Sequence, residues 1–191
     1  MPTLRTFIAV EIDDDTRNKI SQIQNSFKNH KTGIKLVAPN NIHITLIFIG
    51  NIEISKISEI DKELQSFISA IKPFEILPKK IGYFPNIKNP KIIWIGIEDG
   101  KEILIKLNEK IKPLLKNCKI TTEDRDFHPH ITIGRIKSSN NTEKLKTVLL
   151  NLPEQRFNPI YINSISLIES NLTPEGPQYK TIVKWELSKN E

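Results

Sequence analysis

A single cysteine, Cys118, stands in 191 residues. That excludes an internal disulfide and any cysteine-rich zinc module. Long apolar runs are missing as well: no uninterrupted stretch nears the ~18–20 residues of a membrane span. The start, Met1 to Val10, soon meets Glu11 and Asp13-Asp14-Asp15, so its apolar stretch is too short for the core of a secretion signal. The expectation is a cytoplasmic protein with no membrane partner and no oxidising compartment. Glycine- or serine-rich linkers and low-complexity tracts are also absent, which argues for one domain over 1–191 rather than a string of modules.

What is present is ordinary in amount. The chain is 38% hydrophobic and 26% charged, which rules out a disordered or collagen-like polymer. Lys and Arg number 28 against 22 Asp and Glu, a formal net charge of +6. A mild cationic excess suits a polyanionic partner such as nucleic acid but does not by itself demand one.

Periodicity divides the chain into alternating strands and helices. Leu4 to Ile12 alternates with a period of two, so a strand is expected. Asp13-Asp14-Asp15 then offers a helix cap and an acidic first turn, and Ile20, Ile23 and Phe27 carry the helix to about Asn29. Further strands are expected over 34–37, 42–49, 74–83, 91–97, 129–136, 163–169 and 178–187. Helices are expected from Ile54 to Ile71, over 103–114 with Pro113 distorting the last turn, and over 142–150. Strands interrupted by long helices without strict alternation predict an α+β fold with mostly antiparallel sheets.

One short pattern occurs twice. Ile42-His43-Ile44-Thr45-Leu46 and Pro129-His130-Ile131-Thr132-Ile133 are both His-X-Thr-X with apolar X, 87 residues apart. On a strand, residues i and i+2 share a face. Each imidazole is therefore presented beside a hydroxyl, with isoleucines packed behind. The chain has four histidines, His30, His43, His128 and His130, and two of them fall at matching positions of this repeat. An unperturbed imidazole has a pKa near 6.5, so of two facing rings one can be charged and the other neutral. Such a pair suits displacement at phosphorus, where attacking and leaving oxygens lie on opposite sides. Which ring is acid and which is base cannot be read from spacing. Arg135 follows Thr132 by three; strict alternation would put it on the far face, and Gly134 offers a bulge or bend that could swing it back to the cleft to grip phosphate.

These residues resemble the two-histidine (2H) phosphoesterase superfamily, and within it the RNA 2′,3′-cyclic phosphodiesterase (2′-5′ RNA ligase) family. Arg5-Thr6-Phe7-Ile8-Ala9-Val10 is similar to the family's opening strand. Pro39 to Gly50 resembles its first motif, Phe84-Pro85-Asn86 with Ile93-Trp94-Ile95-Gly96 its middle segment, Phe127 to Arg135 its second motif, and Gly176-Pro177-Gln178-Tyr179 its closing turn. Leu36 departs from the family, which often has Trp there. The resemblance implies two pseudo-symmetric lobes, each with an antiparallel sheet and flanking helices, around a central cleft. It implies hydrolysis of a terminal RNA 2′,3′-cyclic phosphate to a 2′-phosphomonoester, on RNA that could be tRNA-derived. His43 would be the proton donor and His130 the proton acceptor, with Thr45, Thr132 and Arg135 on the phosphate. It implies no metal and no other cofactor, and no obligate protein partner.

Other residues carry weaker expectations. Phe7 and Tyr179 could stack a nucleobase, and His128 could sit at the rim; Trp94 reads as a packing aromatic. His128-Pro129-His130 lacks a third residue spaced to complete a metal site. Lys79, Lys80 and Lys88 are candidates for the RNA backbone. The competing activities are 2′-5′ ligation of tRNA halves in the same cleft, a non-catalytic RNA or nucleotide binder, and hydrolysis of another small phosphodiester.

Overall fold

The computed structural model describes residues 2–30, 32–86, 88–123, 126–136 and 142–188. Ile87, inside the expected loop from Phe84 to Pro90, lies outside the described residues. Among those described are nine strands and four α-helices. In chain order they are β1 Thr3–Glu11, α1 Asp14–Asn29, β2 Ile34–Leu36, a 3₁₀ turn at Pro39–Asn41, β3 His43–Glu53, α2 Lys56–Ser69, β4 Phe74–Phe84 and β5 Ile92–Asp99. There follow α3 Lys101–Asn117, β6 His130–Ile136, α4 Thr142–Asn151, β7 Ile160–Ile162, β8 Ser164–Thr173 and β9 Gly176–Glu186.

The local signals hold where they are strongest. Asp13 caps α1, its side chain accepting from the Thr16 backbone N–H at 2.7 Å. Ile20, Ile23 and Phe27 are all buried. Helix α3 runs through Pro113 to Asn117, past the expected distortion. Ile111 and Leu115 are fully buried on either side of it, and burying them offsets the backbone bond that proline removes.

All strand pairs are antiparallel, in the order β7-β4-β5-β6-β3-β1-β8-β9, with β2 off this path and paired with the Gly134–Ile136 end of β6. One lobe's sheet is β3, β1, β8 and β9; the other's is β6, β5, β4 and β7. They join through a single pairing, Ile44 with Ile131. That junction lies at the centre of the repeated motif.

The two faces of this sheet differ. Buried residues of all four helices form one cluster with Ile8, Val10, Ile44, Leu46, Ile131 and Ile133. The alternate residues of β1, Phe7 and Ala9, belong to a separate small cluster with Ile168 and Tyr179. The helices thus cover one face, and the His-X-Thr side chains project from the other. Trp185, fully buried on β9, ties α2 to the sheet by donating its indole N–H to Asp61 at 2.8 Å.

Candidate active site

The register that joins the lobes builds the site. Continued one residue either way from Ile44–Ile131, it sets His43 across from Thr132 and Thr45 across from His130. All four side chains share one face. The two histidines occupy a diagonal of this square, roughly 7–8 Å apart at the backbone.

Each ring is held the same way. The Nδ1–H of His43 donates to the Asn41 carbonyl at 2.8 Å, and that of His130 to the His128 carbonyl at 2.6 Å. A carbonyl only accepts, so Nδ1 carries the hydrogen and the bare Nε2 of the neutral ring faces the cleft. At His43 that nitrogen accepts from the Thr45 hydroxyl at 2.9 Å. Asn41 works twice, since its side-chain amide also donates to the Pro177 carbonyl at 2.7 Å and anchors the β8–β9 hairpin beside His43.

Aromatic rings wall both sides. Phe7 stacks on His43 with centroids 4.8 Å apart, and Tyr179 meets the same imidazole edge-on at 5.3 Å. Phe7 is only 4% exposed, which leaves it as backing for His43, while Tyr179 is half-buried at the cleft. On the other side Phe84 and Trp94 stack at 4.9 Å and approach His130 edge-on at 5.3 and 6.1 Å. Trp94 is thus a wall of the site as well as a packing group. It lies across Gly82 of β4, where any Cβ would stand inside the indole. Sequence reasoning missed this pair of rings around His130, because the contact depends on the β4–β5 register. His128 is exposed at the rim, its ring 6.5 Å from Phe84.

The expected bulge is present. β5 pairs Ile93 with Gly134 but Trp94 with Thr132, so β6 passes over Ile133. The extra residue turns Arg135 to the Thr132 face, and its charge reaches His43, His130 and Tyr179. Gln24 of α1 holds the bulge from behind. It is 4% exposed and donates to the carbonyls of Ile133 at 2.9 Å and Val37 at 2.8 Å. Gln24→Leu removes both donors, and a loss of about 1–3 kcal/mol is expected in urea unfolding.

Burial dominates the electrostatics. Desolvation carries the His43 pKa from 6.5 down to about 4; the Asn41 carbonyl opposes this, while Arg135, His130 and Arg17 add to it. His130 is lowered in the same sense, first by burial and then by Arg135 and His128. Both rings are therefore neutral at pH 7 before any anion arrives. The unfolded chain binds protons that these folded rings refuse, so their contribution to stability is complete above about pH 6.5 and is lost as pH falls towards 4. Urea unfolding at pH 7 and 4.5 is expected to show this drop. In His43→Gln it should be shallower by up to about 1.4 kcal/mol per pH unit.

Among the described residues no group of three or more His, Cys, Asp or Glu gathers as a metal site, and no helix is long and apolar enough to cross a membrane. Of the lysines singled out above, Lys79 faces Glu98 at 3.2 Å, while Lys80 and Lys88 are exposed.

Comparison with known proteins places the chain in a family. The family described as LigT like phosphoesterase matches residues 10–94 and again 95–179, one copy for each His-X-Thr-X motif. The chain belongs to this LigT-like phosphoesterase family. Among its relatives is the RNA 2′,3′-cyclic phosphodiesterase of Methanocaldococcus jannaschii, 35% identical over 182 residues, 95% of this chain and 100% of the relative. The protein of the same name from Aquifex aeolicus is 36% identical over 154 residues, 80% of this chain and 81% of its own. A Thermus thermophilus crystal structure superposes with a TM-score of 0.83 at 24% identity, covering 98% of this chain and all of that one. Escherichia coli LigT complexed with 3′-AMP gives 0.78 at 20% identity, covering 98% of this chain and all of its own. These two structures establish the fold: the LigT-like arrangement of two lobes, each an antiparallel sheet with its helices.

Proposed function

We propose that this chain hydrolyses terminal RNA 2′,3′-cyclic phosphates to 2′-phosphomonoesters by paired histidine acid–base catalysis, and that residues 1–191 act as one two-lobed catalytic domain. The observation that carries the reading is the square of His43, Thr45, His130 and Thr132 on one sheet face, backed by relatives that bear this activity in their names. The phosphorus sits between the rings. His130 Nε2 takes a proton from water as the water oxygen bonds to phosphorus. The bond from phosphorus to the ribose 3′-oxygen breaks, and His43 Nε2 gives that oxygen its proton. The 2′-oxygen keeps the phosphate.

His43 must be charged to do this, and the anionic phosphodiester supplies the reason. Its negative charge between the rings opposes the desolvation that keeps His43 neutral in the free protein. Once Nε2 is protonated it no longer accepts from Thr45. The Thr45 hydroxyl is released to donate to a non-bridging oxygen, alongside Thr132 and Arg135. Donors held in place for the charge that builds on those oxygens lower the barrier. Arg135 provides two parallel N–H groups for the same purpose. RNA ends, tRNA-derived ones among them, are the substrates, and Tyr179 is the ring open to a base. A cytoplasmic setting accords with the lone buried thiol of Cys118.

The test is an end-group analysis of an RNA bearing a 2′,3′-cyclic phosphate, with chelator present. A 2′-phosphate product is expected. A 3′-phosphate product, or tight binding without turnover, would overturn the assignment. Two RNA halves added together report on 2′-5′ joining.

A further inference from the structure

Phe48 plays no part in enclosing the phosphate, yet its ring is 52% exposed on the face that carries His43. It pairs with Phe7 across β1 and β3. Its ring centre is 6.4 Å from that of Phe7, which itself stacks on His43. An aromatic surface therefore runs outward from the catalytic imidazole to a ring open to solvent. Arg5 precedes Phe7 by two on β1, so it emerges on the same face, and it is exposed. Its charge reaches Tyr179, as that of Arg135 does. Exposed rings flanked by cations are how proteins hold single-stranded nucleic acid without reading its sequence.

The direction of the strand follows from the roles proposed above, on which this inference rests. His43 gives its proton to the 3′-oxygen, and the attacking water stands on the His130 side. The ribose that owns the 3′-oxygen is then on the His43 side of phosphorus. Its 5′-phosphate and the nucleotide before it continue over the β1–β3 face rather than over Phe84 and Trp94.

We propose that Phe48 and Arg5 form a second nucleotide subsite: Phe48 stacks the base preceding the cyclic-phosphate nucleotide, and Arg5 holds the phosphate that joins the two. The substrate is accordingly a single-stranded oligonucleotide end rather than a mononucleotide.

Substrates of one, two and three nucleotides, all ending in the same 2′,3′-cyclic phosphate, provide the test. The ratio of kcat/KM for the dinucleotide over the mononucleotide is expected to be on the order of tenfold, the worth of one stacked base. The third nucleotide should add little. Phe48→Ala should shrink that ratio several-fold. Phe48→Leu, which keeps apolar bulk and loses the π-face, should do nearly as much. Arg5→Gln should shrink it too, and reduce the salt dependence of the dinucleotide's KM by about one phosphate contact. Equal kcat/KM at all lengths, or an undiminished ratio in Phe48→Ala, overturns the subsite while leaving the hydrolase intact. A ratio that collapses instead in Phe84→Ala overturns it and lays the strand over the other wall. Absence of turnover at every length sinks the functional reading itself, and the subsite with it.

Discussion

Replacing His43 or His130 with alanine is expected to lower kcat/KM for a 2′,3′-cyclic phosphate RNA end by about 10²–10⁴-fold each, the usual worth of a positioned proton-transfer group. The double variant should lose much less than the product of the two, because groups that act together on one transition state are not additive. The two losses differ in kind, and the leaving group separates them. A ribose 3′-oxygen departs poorly without a proton. A nitrophenolate departs without one. On a nitrophenyl phosphodiester the deficit of His43→Ala should largely vanish, while that of His130→Ala persists, since water still has to be deprotonated. The reverse pattern would exchange the two roles. Residual folding defects would affect both substrates alike, so the contrast between them is insulated from stability.

The pH dependence constrains the same pair. The proposed mechanism needs one ring charged and one neutral, while both are pushed below the ordinary imidazole value by burial, His43 to about 4. The singly protonated pair forms as pH rises through the lower of two macroscopic pKa values and is lost through the higher. In the free enzyme both lie on the acid side of 6.5. The bell in kcat/KM is therefore expected to sit on the acid side of neutrality. The bell in kcat should be displaced upwards, because there the phosphate charge is already bound.

Much of this site was legible from residues alone, because its signal is local and repeated. His43-Ile44-Thr45 and His130-Ile131-Thr132 are each a strand period of two, and the duplication at a distance of 87 residues says that two strands do one job. The glycine before Arg135 marked a bulge or bend, and the register shows it to be a bulge. The capping aspartate and the spacing of Ile20, Ile23 and Phe27 announced α1 to within a residue. Illegible parts depend on pairings between distant segments. β7 is three residues, Ile160-Tyr161-Ile162, too few to display a period, and is a strand only because the edge of β4 receives it. The hairpin β8–β9 extends to Thr173 and Gly176 beyond the expected ends, since ladder bonds carry its polar tip. The Phe84–Trp94 wall requires the register that puts Trp94 over Gly82. Gln24 and Asn41 look like surface amides in the sequence. Each becomes a tether only when a carbonyl 109 or 136 residues away comes within reach.

Trp185→Ala is expected to cost about 3–5 kcal/mol in urea unfolding, the typical range for deleting a large buried aromatic. Trp185 is fully buried between α2 and β9, and its N–H to Asp61 links that helix to the sheet. The truncation leaves a cavity and an acceptor without its donor, and α2 loses the hydrogen bond that ties it to β9. Trp185→Phe should cost less, since it keeps most of the ring volume and sacrifices chiefly the hydrogen bond. The informative measurement is the activity of what remains folded. Tyr179 stands on the same strand, six residues earlier, but on the opposite side of the sheet, with Phe7 and His43. Its position is fixed by the pairing of Tyr179 with Ser170 and by the Asn41 amide on Pro177, none of which passes through Trp185. At a temperature where Trp185→Ala is still folded, kcat/KM per folded molecule should stay within a fewfold of the parent. Should it fall in step with stability, the helix-covered face and the cleft would be one mechanical unit. The sheet carries the proposed site on one face and the burial that keeps it folded on the other. Ile44 and Ile131, buried beneath the two histidines, are where the two meet.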